Sequence, residues 1–377
     1  MTASAPILRT RQWPRAVGIA AGLLAALVVL TISRPASHAL VTGPIISECD
    51  GRIAAVAIQY SSGSLFAAGI FRQFLVSLPS DVRVYALLPD EPSLDELKGQ
   101  LGPLAFRVIP ILTHHPMTAW SRDRWIALLP LRPGGPTTLL AQRGELGAQI
   151  WPQRAGDQRI ADDLAHALAP RFVSARSDLY FDGGDFLADS RCVFVGPAVI
   201  RRNLQMTVAS VDELRRRLAE MLHGRIILLE NAPDHHVGMF MMVAGNDTVV
   251  VGDPNLGRAL WTPIELPGGA DFSAATQKRF DSVAQAAKDN GYRVVRIPVV
   301  PAADRKTYMT YVNGVIDQRD GRRVIYLPQY REEPELNQAA RKIWESLGYQ
   351  VVPIDVTDVF REFGTVHCLV NVMERGG

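Results

Sequence analysis

Only three cysteines, Cys49, Cys192 and Cys368, occur in 377 residues. That is too few for a disulfide-built scaffold, and no Cys-x-x-Cys or His-x-x-x-His spacing is present, which removes the common zinc-ligand patterns. Excess charge is lacking as well: 40 Lys and Arg against 38 Asp and Glu leave a net charge of +2. No Lys/Arg cluster interleaves with aromatic residues, so no nucleic-acid partner is expected. A linker is missing too. The stretch 130–137 is rich in Gly and Pro but short enough for a turn between strands. One domain over 41–377 is the simplest organisation, and no residue-level repeat divides it.

Long uncharged runs are scarce, with one exception. Residues 16–32 carry no charge and follow Arg9, Arg11 and Arg15. A basic stretch followed by an apolar one is the pattern of a secretory signal. The run is also near the lower end of the ~17–25 residues that span a bilayer. Ser37-His38-Ala39 offers a small-x-small cleavage site. Residues 1–40 are therefore expected to be a signal peptide or an N-terminal membrane anchor, with a tether through 16–32. The protein is expected to be exported, periplasmic or extracellular. In such an oxidising setting an odd cysteine count leaves two arrangements open. Either Cys49 and Cys192 pair and Cys368 stays free, or all three are buried thiols that behave as small hydrophobes.

Beyond the leader, short apolar runs alternate with amphipathic segments. Strands are expected at 53–59, 83–88, 106–112, 125–129, 137–141, 177–181, 192–195, 225–229, 239–243, 248–251, 294–297, 324–327, 351–354 and 367–373. Helices are expected at 64–78, 92–101, 158–168, 211–222, 273–290 and 336–347. Ser210 and Glu213 make a capping box for the fourth of these, and Gly291 and Gly348 follow the last two. A unit of two strands, a helix and a strand recurs four or five times. This is an α/β protein.

Four polar clusters fall at strand ends, where functional groups concentrate. They are Trp120-Ser121-Arg122-Asp123-Arg124-Trp125, Phe181-Asp182-Gly183-Gly184-Asp185, Asp234-His235-His236-Val237-Gly238-Met239 and Gly364-Thr365-Val366-His367-Cys368. Singly, each has an ordinary structural use: an ion-pair network, a glycine turn, a surface loop, a buried thiol. Together they offer a thiol, an imidazole and two carboxylates from four separate loops. A cysteine nucleophile needs a histidine and an electropositive setting. A buried guanidinium needs carboxylates, because an unpaired buried charge is very costly. The set suits chemistry at an amidine carbon, with Cys368, His236, Asp123 and Asp182 as the candidate catalytic residues.

These clusters resemble, in order and local context, the guanidine-modifying (pentein) superfamily, closest to its peptidylarginine and agmatine deiminases. Trp120–Asp123 looks like that family's Trp-x-x-Asp motif. Phe181-Asp182-Gly183-Gly184 is similar to its Glu-Gly-Gly/Asn motif, with Asp for Glu. His236-Val237-Gly238-Met239-Phe240 resembles its catalytic-histidine motif, with Gly238 where the family has Asp. Gly364 to Val372 looks most like the cysteine segment of peptidylarginine deiminases. The resemblance covers about residues 117–373. It implies a five-bladed α/β propeller and a cysteine-dependent deiminase forming a covalent thiouronium on Cys368. It also implies His236 as proton shuttle, and Asp123 and Asp182 as holders of the guanidinium. Trp120, Arg122 and Asn313 are expected at the substrate, which is peptidyl arginine or a small guanidino compound. No cofactor or metal is implied. Asp234 and Asp253 are alternative carboxylates for the one missing at Gly238.

Three other functions would draw on the same clusters. An amidinotransferase would use the same adduct and pass the amidino group to an amine. A degenerate member would bind without turnover. A metal-dependent hydrolase would draw on His114, His115, His235 and His236, although adjacent His-His pairs rarely put both rings on one metal.

Overall fold

The computed structural model describes residues 42–144, 154 and 156–376. The expected leader and its apolar run lie outside them. Among the described residues, no helix is long and apolar enough to cross a membrane. All three cysteines are buried, free thiols, so Cys49 and Cys192 are not paired.

The architecture is a series of small mixed sheets built from one recurring unit. Strands β1 (Arg52–Gln59), β2 (Arg83–Leu88) and β3 (Val108–Leu112) run parallel, joined by helices Leu65–Ser77 and Glu91–Leu101. The next sheets each begin with an antiparallel pair and add a parallel strand through helical crossovers, the connection a parallel pair requires. They are β4 (Trp125–Leu128), β5 (Thr137–Ala141) and β6 (Phe172–Arg176), then β7 (Phe186–Ala188), β8 (Cys192–Val195) and β9 (Arg225–Leu228). The following sheet holds β10 (Met241–Val243), β11 (Thr248–Asp253) and β12 (Arg293–Pro298). A two-residue ribbon, β13 (Val300–Pro301) with β14 (Tyr308–Met309), precedes β15 (Val315–Arg319), β16 (Arg322–Gln329) and β17 (Tyr349–Asp355). The last strand, β18 (Asn371–Gly376), returns to pair antiparallel with β1. The first sheet is thus built from both ends of the described chain and gains the antiparallel partner it would otherwise lack.

Local sequence explains the crossovers. Helix Pro334–Ser346 buries Leu336, Ala340 and Trp344, a fourfold spacing that aligns them on one face. Helix Val211–Leu222 buries Leu214, Leu218, Met221 and Leu222, and Ser210 caps it by accepting from the Glu213 N–H at 3.1 Å.

Three expected elements differ. Residues 177–181, expected as a strand, form a loop, and the strand is β6 just before them, where Phe172 is the fully buried residue. The Asn203 side chain accepts from the Tyr180 N–H at 2.9 Å and so satisfies this loop outside any ladder. Residues 367–373 are not one strand. Val366–Leu369 is a single helical turn, and β18 starts after it. The third is Thr310-Tyr311-Val312-Asn313, strand-like in sequence, whose last three residues form a bend before β15.

Candidate active site

Five of the sheets are led by a strand that opens directly after a polar segment. Asp123 precedes β4, Asp182 precedes β7, His236 precedes β10, Asn313 precedes β15 and Cys368 precedes β18. The strand anchors the backbone and the turn before it frees the side chain.

Hydrogen bonds stitch these segments together. The Arg122 N–H donates to Cys368 O at 3.2 Å, and Gly183 N–H to Asp123 O at 2.7 Å. Ser121 Oγ donates to Leu369 O at 2.7 Å, and Asn371 Nδ2 donates to Ser121 O at 3.0 Å. The His367 N–H donates to Asn313 O at 3.1 Å. Residues from opposite ends of the sequence are thereby fixed against one another.

The His236 ring sits between two carboxylates, with Nδ1 3.6 Å from Asp123 Oδ1 and Nε2 3.5 Å from Asp182 Oδ2. It also interacts with the Cys368 thiol. Cys368 is buried, its Sγ 3.4 Å from Asn313 Oδ1 and 3.9 Å from Met239 Sδ. Trp120 stacks on Phe66, centroids 5.8 Å apart, and packs over Gly364, where a Cβ would lie 2.6 Å from the indole and 3.0 Å from Cys368 Cβ. All four candidate catalytic residues, with Trp120 and Asn313, therefore meet in one place.

The electrostatics are unequal. Burial by itself would strip the proton from His236, but the charge of Asp123 and the contacts with Asp182 and Cys368 outweigh it and hold its pKa well above 6.5. Burial would likewise raise Asp182, yet Arg202, 2.7 Å away, with His236 and Arg124 keeps its pKa far below the ordinary carboxylate range. Asp123 moves the other way: burial raises it, and the cations His236 and Arg124 offset only part of that. Asp123 Oδ1 has no hydrogen-bond partner among the described residues.

Several expected roles change with this geometry. Both oxygens of Asp182 are committed, Oδ1 toward Arg124 at 3.5 Å and Oδ2 to Arg202 and His236. Asp182 is thus placed to orient His236. Arg122, expected to bind substrate, points its guanidinium into the interior, to Glu48 at 2.5 Å, Phe186 O at 3.0 Å and Asn371 Oδ1 at 3.3 Å. Asp234 pairs with Arg201 at the surface, and Asp253 caps helix Pro254–Leu260, so neither stands in for the missing carboxylate. His235 accepts from the His236 N–H through Nδ1 at 2.7 Å, and burial, with the His236 charge, pushes its pKa down to about 3. His115 is paired with Asp163 at 2.6 Å. A cavity of about 840 Å³ lined by Ile46, Asp50, Cys192 and Arg225 holds none of the site residues.

Sequence reasoning missed Arg202, which carries no motif, and Glu48, which meets His367 from 319 residues away in sequence. Arg124 lay within the recognised cluster, and its fully buried side chain also reaches Asp157, at 3.2 Å.

The two glycines after Asp182 fit this packing. A Cβ on Gly183 would meet Arg122 O at 2.3 Å, and one on Gly184 would meet the His236 ring at 2.7 Å. Substituting Gly184 by alanine is expected to push the imidazole off line and to lower kcat by about 10²-fold, as ~1 Å misplacements do. Circular dichroism should show the fold retained, with the deficit confined to turnover.

The sequence matches the Porphyromonas-type peptidyl-arginine deiminase family over residues 71–373. No curated protein matches it. Among solved structures it is similar to agmatine deiminase from C. jejuni with substrate bound, at 14% identity over 87% of this chain and 95% of that one, TM-score 0.66. It is also similar to a candidate arginine deiminase from Porphyromonas gingivalis, at 17% identity over 86% and 96%, TM-score 0.68. An agmatine deiminase of Enterococcus faecalis matches at 14% identity over 87% and 94%, TM-score 0.64. At these identities the likeness is one of fold.

Proposed function

The chain belongs to the Porphyromonas-type peptidyl-arginine deiminase family, and from that premise we propose that it hydrolyses the guanidino group of peptidyl arginine through Cys368. The observation that carries this is the meeting of Cys368, His236, Asp123 and Asp182, with Asp123 Oδ1 buried, 3.6 Å from His236 Nδ1 and without a hydrogen bond among the described residues. A guanidinium N–H supplies that missing partner and brings the positive charge the carboxylate needs. A cationic imidazole beside the sulfur is the setting in which a cysteine acts as nucleophile.

The sulfur of Cys368 bonds to the guanidinium carbon. His236, protonated, donates its proton to the departing nitrogen, which leaves as ammonia, and a thiouronium remains on Cys368. Neutral His236 then takes a proton from water. The hydroxide adds to the same carbon, the C–S bond breaks, and the ureido product sheds its extra proton to solvent, where ammonia takes it up, leaving the thiolate and imidazolium as they began. Positioned acid–base catalysis of this kind contributes about 10²–10⁴-fold. Asp182, held by Arg202 and Arg124, keeps the imidazole oriented through both halves.

Five sheets, each led by a segment that carries a site residue, support a five-bladed propeller with the site at its centre. An exported enzyme would meet peptide substrates, and the basic-then-apolar order of residues 7–32 supports export.

The test is incubation of the full chain with peptidyl arginine, free arginine and agmatine, measuring ammonia and ureido product. Turnover of peptidyl arginine supports the proposal. Turnover of agmatine or arginine alone moves the substrate to a small guanidino compound. No turnover on any of the three by folded protein contradicts the proposal.

A further inference from the structure

We propose that His367 contacts the substrate, its Nδ1 accepting a hydrogen bond from the guanidinium as a second acceptor beside Asp123. This rests on the deiminase function above and deepens it. His367 is 3% exposed, and its two ring nitrogens have different surroundings. Nε2 lies 3.1 Å from Glu48 Oε2. Burial would raise the Glu48 carboxyl, but Arg122, 2.5 Å away, and His367 bring its pKa down to about 2, so it is ionised. An ionised carboxylate only accepts, so Nε2 carries the ring proton and Nδ1 is left with its lone pair. Burial, with Arg122 and Arg375 nearby, favours the neutral ring over the cation even beside Glu48.

Nδ1 has no hydrogen-bond partner among the described residues, and the space it faces is defined by Gly238. A Cβ there would lie 3.0 Å from His367 Nδ1 and 3.1 Å from Asn313 Nδ2. Asn313 Nδ2 is buried and also unpartnered. The Nδ1 acceptor and the unused Asn313 Nδ2 donor therefore border the same small volume beside Gly238, and leaving the buried Nδ2 unpaired is unfavourable. The volume adjoins the reacting groups. Asn313 Oδ1 holds Cys368 Sγ at 3.4 Å, His367 precedes Cys368, and Gly238 follows His236 by two residues. A carboxylate side chain at position 238 would need the space that the His367 ring fills. In this chain a neutral imidazole, backed by the ionised Glu48, takes the place of a charged acceptor.

Two experiments on the full chain decide it. In the first, Cys368→Ser protein with ¹⁵N-labelled histidine is titrated with peptidyl arginine, arginine and agmatine, with binding followed by calorimetry. The expected result is that the probe which binds shifts the His367 Nδ1 resonance upfield while the Nε2 proton stays in place. Binding with an unmoved Nδ1 overturns the inference alone. No binding by any probe overturns both this inference and the deiminase function.

The second experiment is kinetic. His367→Ala is expected to raise KM by about tenfold to a hundredfold, the loss of a hydrogen bond to a charged group, with a smaller change in kcat. Gly238→Asp alone is expected to be inactive because its side chain meets the imidazole. Combining Gly238→Asp with His367→Ala should recover KM toward the parent value. A KM within about twofold in His367→Ala, or a double variant no better than the single, would overturn the proposal. Should either variant fail to fold, the resonance shift decides alone, since it keeps His367 intact.

Discussion

Replacing Cys368 by alanine should lower turnover of a guanidino substrate by about 10⁴-fold or more, the scale of losing a covalent nucleophile. The substitution should leave the fold and substrate binding largely intact. Besides its interaction with His236, Sγ touches Asn313 Oδ1 and Met239 Sδ, and neither of these two contacts is a strong hydrogen bond. The backbone of the turn is held independently, by Arg122 N–H on Cys368 O and by Ser121 Oγ on Leu369 O. Asp123, proposed to anchor the guanidinium, comes from another segment. Steady-state ammonia release, read beside a thermal melt, separates loss of chemistry from loss of structure. Serine should behave much as alanine does, because a hydroxyl at neutral pH is a far weaker nucleophile than a thiolate.

The second large effect concerns pH. His236 is protonated at neutral pH because Asp123 and Asp182 outweigh its burial. As the acid for the departing nitrogen it must carry that proton, so kcat/KM should fall on the alkaline side as the elevated pKa is crossed. Asp182→Asn removes one of the two carboxylates while leaving Asp123 to anchor the substrate. The alkaline limb should then move down by about one pH unit or more, each unit being tenfold in activity above it. The variant should be nearly competent on the acid side of the shifted limb and impaired on its alkaline side, relative to the parent. A profile that drops evenly at all pH values would instead point to misfolding or to a direct role for Asp182 in holding substrate.

Stability should follow the same groups with opposite signs. The raised pKa of His236 gives stability that is complete below its unfolded value of about 6.5 and is lost as pH rises through the folded value. The depressed pKa of Asp182 gives stability present above about 3.9, which declines as pH falls toward the folded value.

Much of this was legible in the sequence because short polar segments ending in apolar strands mark both the strands and the groups exposed before them. Asp123, Asp182, His236 and Cys368 stand out for that reason, and Asn313 does so more weakly. The recurring unit was readable from apolar runs, but β7, only three residues long, and helices Pro197–Asn203 and Pro254–Leu260 were too short to be distinguished from loop. The turn carrying Cys368 reads as strand because Val366, Cys368 and Val370 alternate with other residues. Its helical geometry is set by tertiary bonds from Asn313 and Ser121. Arg122 and Arg124 look alike in sequence, and nothing local says that one goes to Glu48 and the other beneath Asp123 and Asp182. Arg202 and Glu48 could not be found from sequence, since their partners are brought to them by the packing of separate sheets.

The most direct measurement is rapid acid quenching of the wild-type protein during turnover, followed by peptide mass spectrometry. The account predicts a mass increase equal to the substrate less ammonia on the peptide that carries Cys368, appearing within one turnover and absent from Cys368→Ala. Ureido product formed without that adduct, by a protein that keeps its activity in Cys368→Ala, would contradict it.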